Sequence, residues 1–137
     1  QPLEALGRLA DERGQPGEAA DWYAQAVERT RLADARLLYG LALARYRAGS
    51  PAAARPPLKT ALSRDDRLAE AHYLLGMAME RRRDLDGAAR AYGRAIALAP
   101  RMALAHDRLA RRDLLAAHAA GEIGQPLAGQ LGEQRDP

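Results

Sequence analysis

The chain has 137 residues, the length of one domain with room for a buried core, and its net charge is only +3. Phe, Cys and Asn are absent, and the β-branched residues are limited to Val27, Thr30, Thr60, Ile96 and Ile123. A sheet is therefore starved of its usual material and thiol chemistry is excluded, while the abundant Ala, Leu and Arg all favour helix.

Taken in chain order, the pattern predicts helices at about 2–13, 17–30, 34–48, 51–63, 69–82 and 86–98, then a closing helix at about 102–118. Gly14-Gln15-Pro16-Gly17 and Gly49-Ser50-Pro51 punctuate the first two pairs. Ser50 is a candidate N-cap with Pro51 preset for the first helical position, and Asp84 a candidate cap for the helix after it. Pro56-Pro57 falls inside the helix at 51–63 and should kink or restart it, since each proline removes a backbone hydrogen bond and crowds the carbonyl of Ala52 or Ala53. Beyond Ala120 the glycines at 121, 124, 129 and 132 predict a flexible or weakly helical tail over 121–137.

Laying the chain against itself exposes a repeat. One frame reads His72-x2-Leu75-Gly76-x2-Met79, Ala88-x3-Tyr92, Pro100. Moved back 34 residues it reads Leu38-x2-Leu41-Ala42-x2-Arg45, Ala54-x3-Leu58, Asp66. Another 35 back gives Leu3-x2-Leu6-Gly7-x2-Ala10, Ala19-x3-Tyr23, Arg31, so one residue is inserted near Asp34. Forward of the starting frame, the first half recurs as His106-x2-Leu109-Ala110-x2-Asp113. Small residues recur where two helices must approach closely, and Leu6, Leu41 and Leu75 are expected to fill the gap beside them.

These positions resemble the tetratricopeptide repeat, over about residues 1–118. The resemblance implies an all-α fold, a right-handed superhelical solenoid of antiparallel helix pairs, with repeats at about 1–33, 35–68 and 69–102 and the closing helix completing a domain at 1–120. No pair buries its apolar face alone, so stacking creates the core. The family lines its concave groove with the first helix of each pair. Here that face carries Arg8, then Tyr39, Leu43, Tyr46 and Arg47, then Tyr73, Met77, Glu80 and Arg81, and finally Arg111. Tyrosines at helical spacing that the repeat core does not require, edged by arginine, suit a peptide or helix of a partner protein. Some family members grip an acidic C-terminal peptide of a chaperone with Lys, Asn and Arg; the corresponding places hold Glu4, Arg8, Gly40, Glu70 and Leu74, which argues against that partner.

Catalysis has little to work with. Apart from tyrosine the hydroxyls are Thr30, Ser50, Thr60 and Ser63, at helix ends, a turn or a helix surface, and there is neither a phosphate-binding Gly-Lys motif nor a His-Glu-x2-His pair. His72 and His106 lie one repeat apart but occupy the family's bulky packing position and lack a third ligand, so no metal and no cofactor is expected. Of the 21 basic residues 20 are Arg, with Lys59 the exception, and acids interleave with Arg81-Arg82-Arg83 and with Arg108, Arg111 and Arg112. Nucleic acid is not the expected partner, because a broad basic face with stacking aromatics is missing. The expectation is a protein–protein interaction scaffold and not an enzyme. The alternative is a structural or oligomerisation module of a larger protein, using its end faces. No apolar run reaches the roughly 18–20 residues of a membrane span. The Ala- and Arg-rich, Lys-poor usage points to a bacterium, with cytoplasm and periplasm both open. The start at Gln1 suggests a trimmed chain.

Overall fold

The computed structural model describes residues 2–102 and 107–108. Six helices follow one another: α1 Leu3–Glu12, α2 Pro16–Arg29, α3 Ala35–Arg47, α4 Pro51–Arg64, α5 Ala69–Arg81 and α6 Leu85–Leu98. No strand occurs among the described residues, and no helix there is long and apolar enough to cross a membrane. Helices pair as α1·α2, α3·α4 and α5·α6, and the pairs stack through α2 on α3 and α4 on α5, with α3 also touching α5. The result is an all-α helical solenoid. Of the closing helix expected at 102–118 only Met102, which is not helical, and helical Asp107 and Arg108 are described; the rest of it, with His106 and Arg111, and the tail lie outside the described residues.

The three within-pair turns are built alike. Gln15 N–H donates to the Ala10 carbonyl at 2.9 Å, Ser50 N–H to Arg45 at 3.0 Å, and Asp84 N–H to Met79 at 3.0 Å. Each such bond spans a left-handed residue that satisfies the last carbonyls of the first helix. That residue is Gly14 (φ 71°), Gly49 (φ 93°) and, in the third pair, Arg83 (φ 66°). The second helices open differently. Asp84 caps α6 by accepting from Gly87 N–H at 2.9 Å, whereas Ser50 stands at the N-cap of α4 without a hydrogen bond from its side chain. Asp34, the site of the inserted residue, caps α3 by accepting from Leu37 N–H at 2.8 Å.

The core is a stripe of alanine with a few large anchors, of which Tyr92, Leu58 and Leu74 are fully buried. Burying a side chain of that size contributes about 1.5–3 kcal/mol. Gly76 lets Tyr92 approach: a Cβ there would lie 2.5 Å from the ring, and one on Gly7 would lie 2.8 Å from Tyr23. Leu75, expected to fill the gap beside this contact, is only half-buried, like Leu6, while Leu41 is buried; the fully buried leucine of α5 is Leu74.

The expected restart of the fourth helix does not occur, and α4 runs unbroken from Pro51 to Arg64 with Pro56 and Pro57 inside it. A neighbour replaces one of the lost bonds: Arg45 Nη1 on α3 donates to the Ala53 carbonyl at 3.2 Å, the acceptor that Pro57 cannot serve. The Pro57 ring is buried with Ala54 and Leu58, so stacking outweighs the local penalty.

The first-helix face as a candidate docking site

Residues of α3 and α5 one repeat apart form matched sets: Tyr39 with Tyr73, Leu43 with Met77, Tyr46 with Glu80, Arg47 with Arg81. The four-residue and seven-residue spacings put each set on one side of its helix. All but the two arginines are half-buried, and Arg47 and Arg81 are exposed. On α1 the equivalent places hold Glu4, Arg8, Asp11 and Glu12, so the aromatic character begins only with the second pair.

Two contacts tie α3 to α5 along this face. At one end Arg36 Nη1 lies 3.8 Å from Glu70 Oε2. At the other the Arg81 guanidinium sits 5.8 Å from the Tyr46 ring centroid, a cation–π distance. Burial, and then the Glu70 carboxylate, pushes the Tyr39 hydroxyl pKa upward.

A regular acid–tyrosine device underlies the outer pairs. Tyr23 O–H on α2 donates to Asp11 Oδ2 on α1 at 3.3 Å, and Tyr92 O–H on α6 donates to Glu80 Oε1 on α5. Burial first, and then the carboxylate, pushes Tyr23 from 10 to about 12, and Tyr92 moves up for the same reasons. The middle pair exchanges the residues: Tyr46 stands at the acid's place and Leu58 at the tyrosine's. With no acid to receive it, the Tyr46 hydroxyl has no hydrogen-bond partner among the described residues, while its ring carries Arg81.

Not every expected face residue is equally available. Tyr73 packs against Tyr92 at 5.6 Å between centroids and is covered by Arg108 at 5.9 Å. Glu80 Oε1 accepts from Tyr92 and also pairs with Arg108 at 3.3 Å. These two side chains therefore join α5 to α6 and to the helical segment at 107–108. Arg8 forms an exposed pair with Glu4 at 3.5 Å, worth at most about 1 kcal/mol. Arg108, read in the sequence only as part of a basic cluster, and the Arg36–Glu70 pair are the participants that pattern reading missed. The twelve-residue spacing from Asp11 to Tyr23, repeated from Glu80 to Tyr92, was the available signal.

The five clamp positions form no basic grip: Leu74 is fully buried, Gly40 lies beneath the Tyr23 ring, and Glu4 and Glu70 are paired with arginines. His72 Nε2 lies 2.8 Å from the Asp66 carbonyl, a local tie between the α4–α5 turn and α5. No group of three or more candidate metal ligands occurs among the described residues.

The sequence profile of the tetratricopeptide repeat matches residues 4–67 in one form and 69–102 in another, together more than half of the chain. The chain belongs to the tetratricopeptide repeat family. By sequence it matches no curated protein. Solved structures of the same fold include the first repeat domain of Spaghetti (RPAP3) bound to the HSP90 peptide SRMEEVD, with TM-score 0.79 and 23% identity over 84% of this chain and 90% of that one. MamA is similar at TM-score 0.77 and 25% identity, covering 87% of this chain and 67% of that one. The Sgt2 repeat domain from Aspergillus fumigatus is similar at TM-score 0.77 and 23% identity, over 90% and 82% of the two chains.

Proposed function

We propose that this tetratricopeptide repeat chain is a protein-interaction scaffold that docks an extended or helical segment of a partner protein along the groove lined by α1, α3 and α5. The observation that carries the reading is Tyr46. Its ring is half-exposed and held by Arg81, and its hydroxyl is free of the acid that occupies the flanking tyrosines. A tyrosine held in this way presents apolar area and a polar tip at small cost in side-chain entropy. Met77, Leu43 and Tyr39 extend the apolar floor, with Arg47 and Arg81 at its edge. Domains of this fold at low identity include the RPAP3 domain bound to SRMEEVD, which supports peptide docking as a use of the architecture. The clamp positions differ here, so the floor and not a carboxylate grip would select the partner. The reading needs neither a cofactor nor a catalytic residue.

The test is site-specific photocrosslinking in extract from the source organism. A photoreactive residue at 43 or 77 should give a discrete adduct that Tyr46→Ala abolishes, and the same residue at the exposed α2 position Glu28 should not. Equal capture from both helices would reject docking on this face.

A further inference from the structure

On the other side of α5 from the docking face, the crease between α5 and α6 holds a hollow of about 310 Å³. Leu75, Met79 and Ala91 form its apolar floor, and His72, Arg90 and Arg94 its rim. The earlier pairs differ from it at this register. Ala91 is the repeat equivalent of Trp22 on α2 and Pro57 on α4. Trp22 packs against the core and the Pro57 ring is buried, so the first two creases carry a ring where the third has a methyl group. Leu41, in the crease that carries Pro57, is buried, whereas Leu75, like Leu6 in the first crease, is half-exposed.

The rim changes sign along the chain as well. Asp21 and Gln25 in the first pair become Arg90 and Arg94 in the third, both exposed and without an ion-pair partner among the described residues. In the first pair the ring sits among acids: Trp22 Nε1 donates to Glu18 Oε1 at 3.4 Å, and Asp21 is its neighbour. The third crease therefore has a methyl group where the first has a ring, and arginine where the first has a carboxylate.

We propose that this crease is a second docking site, for an acidic segment of another protein that lays one bulky apolar side chain over Leu75 and Met79 while its carboxylates meet Arg90 and Arg94. Charge complementarity selects the occupant, since unpaired arginines around an apolar floor favour acidic partners and disfavour basic ones. The site is independent of the Tyr46 face, so the two can be tested separately.

The probe is a fluorescein-labelled amphipathic peptide with one Trp flanked by Glu, titrated against the intact chain by anisotropy at several salt concentrations. Saturable binding is expected, weakening as salt rises. It should fall at least about tenfold in Ala91→Trp, which puts a ring into the hollow, and in the surface double variant Arg90→Glu/Arg94→Glu. Tyr46→Ala should leave it unchanged. If Ala91→Trp fails to melt cooperatively, the double variant decides. Absence of saturable binding would overturn the proposal, as would equal binding of a Lys-flanked peptide or a loss confined to Tyr46→Ala. A self-associated wild-type chain that Ala91→Trp disperses would also overturn it, making a second copy the occupant.

Discussion

Gly76 and Gly93 sit on the two helices of the third pair and differ in what a methyl group there would meet. A Cβ on Gly76 would lie 2.5 Å from the buried Tyr92 ring, whereas one on Gly93 would meet nothing within 4 Å. Gly76→Ala should therefore cost stability, and Gly76→Leu should cost about 1–3 kcal/mol or more through overpacking. Gly93→Ala should add about 0.5–1 kcal/mol, because glycine inside a helix is entropically unfavourable. Thermal melts of the two alanine variants should move in opposite directions. Arg83 offers the converse case, since it holds φ 66° where the other two turns have glycine. Arg83→Gly should raise stability by about 1 kcal/mol by removing left-handed strain, and an unchanged or lower melting temperature would deny that strain. The Gly14–Gly49 spacing pointed to position 83, but a run of three arginines reads as helix end and hides the turn.

The raised tyrosines give a signed pH dependence. Tyr23 keeps its proton to about pH 12 in the folded chain and to about 10 when unfolded. The native state thus binds more protons between those values. The stability this contributes is whole below pH 10 and is lost as pH rises toward 12, by about 1.4 kcal/mol per pH unit for each such group. Denaturation monitored across that range should show a falling midpoint, and Tyr23→Phe should flatten the fall.

At the scale of helices, the boundaries of all six described helices were legible to within about one residue, because turn chemistry and the repeat register point the same way. The restart expected at the prolines of α4 fails for a physical reason. The penalty of Pro57 is local, but its relief comes from Arg45 on α3, and no inspection of residues 51–64 alone reveals it. Pro56 has no such relief visible and is exposed. Pro56→Ala should stabilise the chain by up to about 3 kcal/mol. Arg45→Ala should destabilise it by about 1–2 kcal/mol by leaving the Ala53 carbonyl to solvent. Denaturant unfolding of both variants checks the pair, and a neutral Pro56→Ala would mean that the stack already absorbs the whole penalty.

For the whole molecule, a periodic sequence reveals which side of each helix can face a partner, but not which side chains are already engaged. Tyr73 and Tyr46 look alike on the first-helix face, yet Tyr73 is packed between Tyr92 and Arg108 while the Tyr46 hydroxyl has no hydrogen-bond partner among the described residues. The exchange of Tyr46 and Leu58 across the middle pair creates that difference, and it emerges only when helices are paired in space. The hollow beside Ala91 is likewise seen only in space, although its register, a small residue where the other pairs have rings, is written in the sequence. Docking on the Tyr46 face is the central claim, and it is tested most directly by the affinity of a partner crosslinked there for the purified wild-type chain and for Tyr46→Ala. A binding anchor of this kind predicts at least about a tenfold rise in Kd with the melting temperature nearly unchanged. An unaltered Kd, or a loss of binding that merely follows a loss of folding, would contradict it.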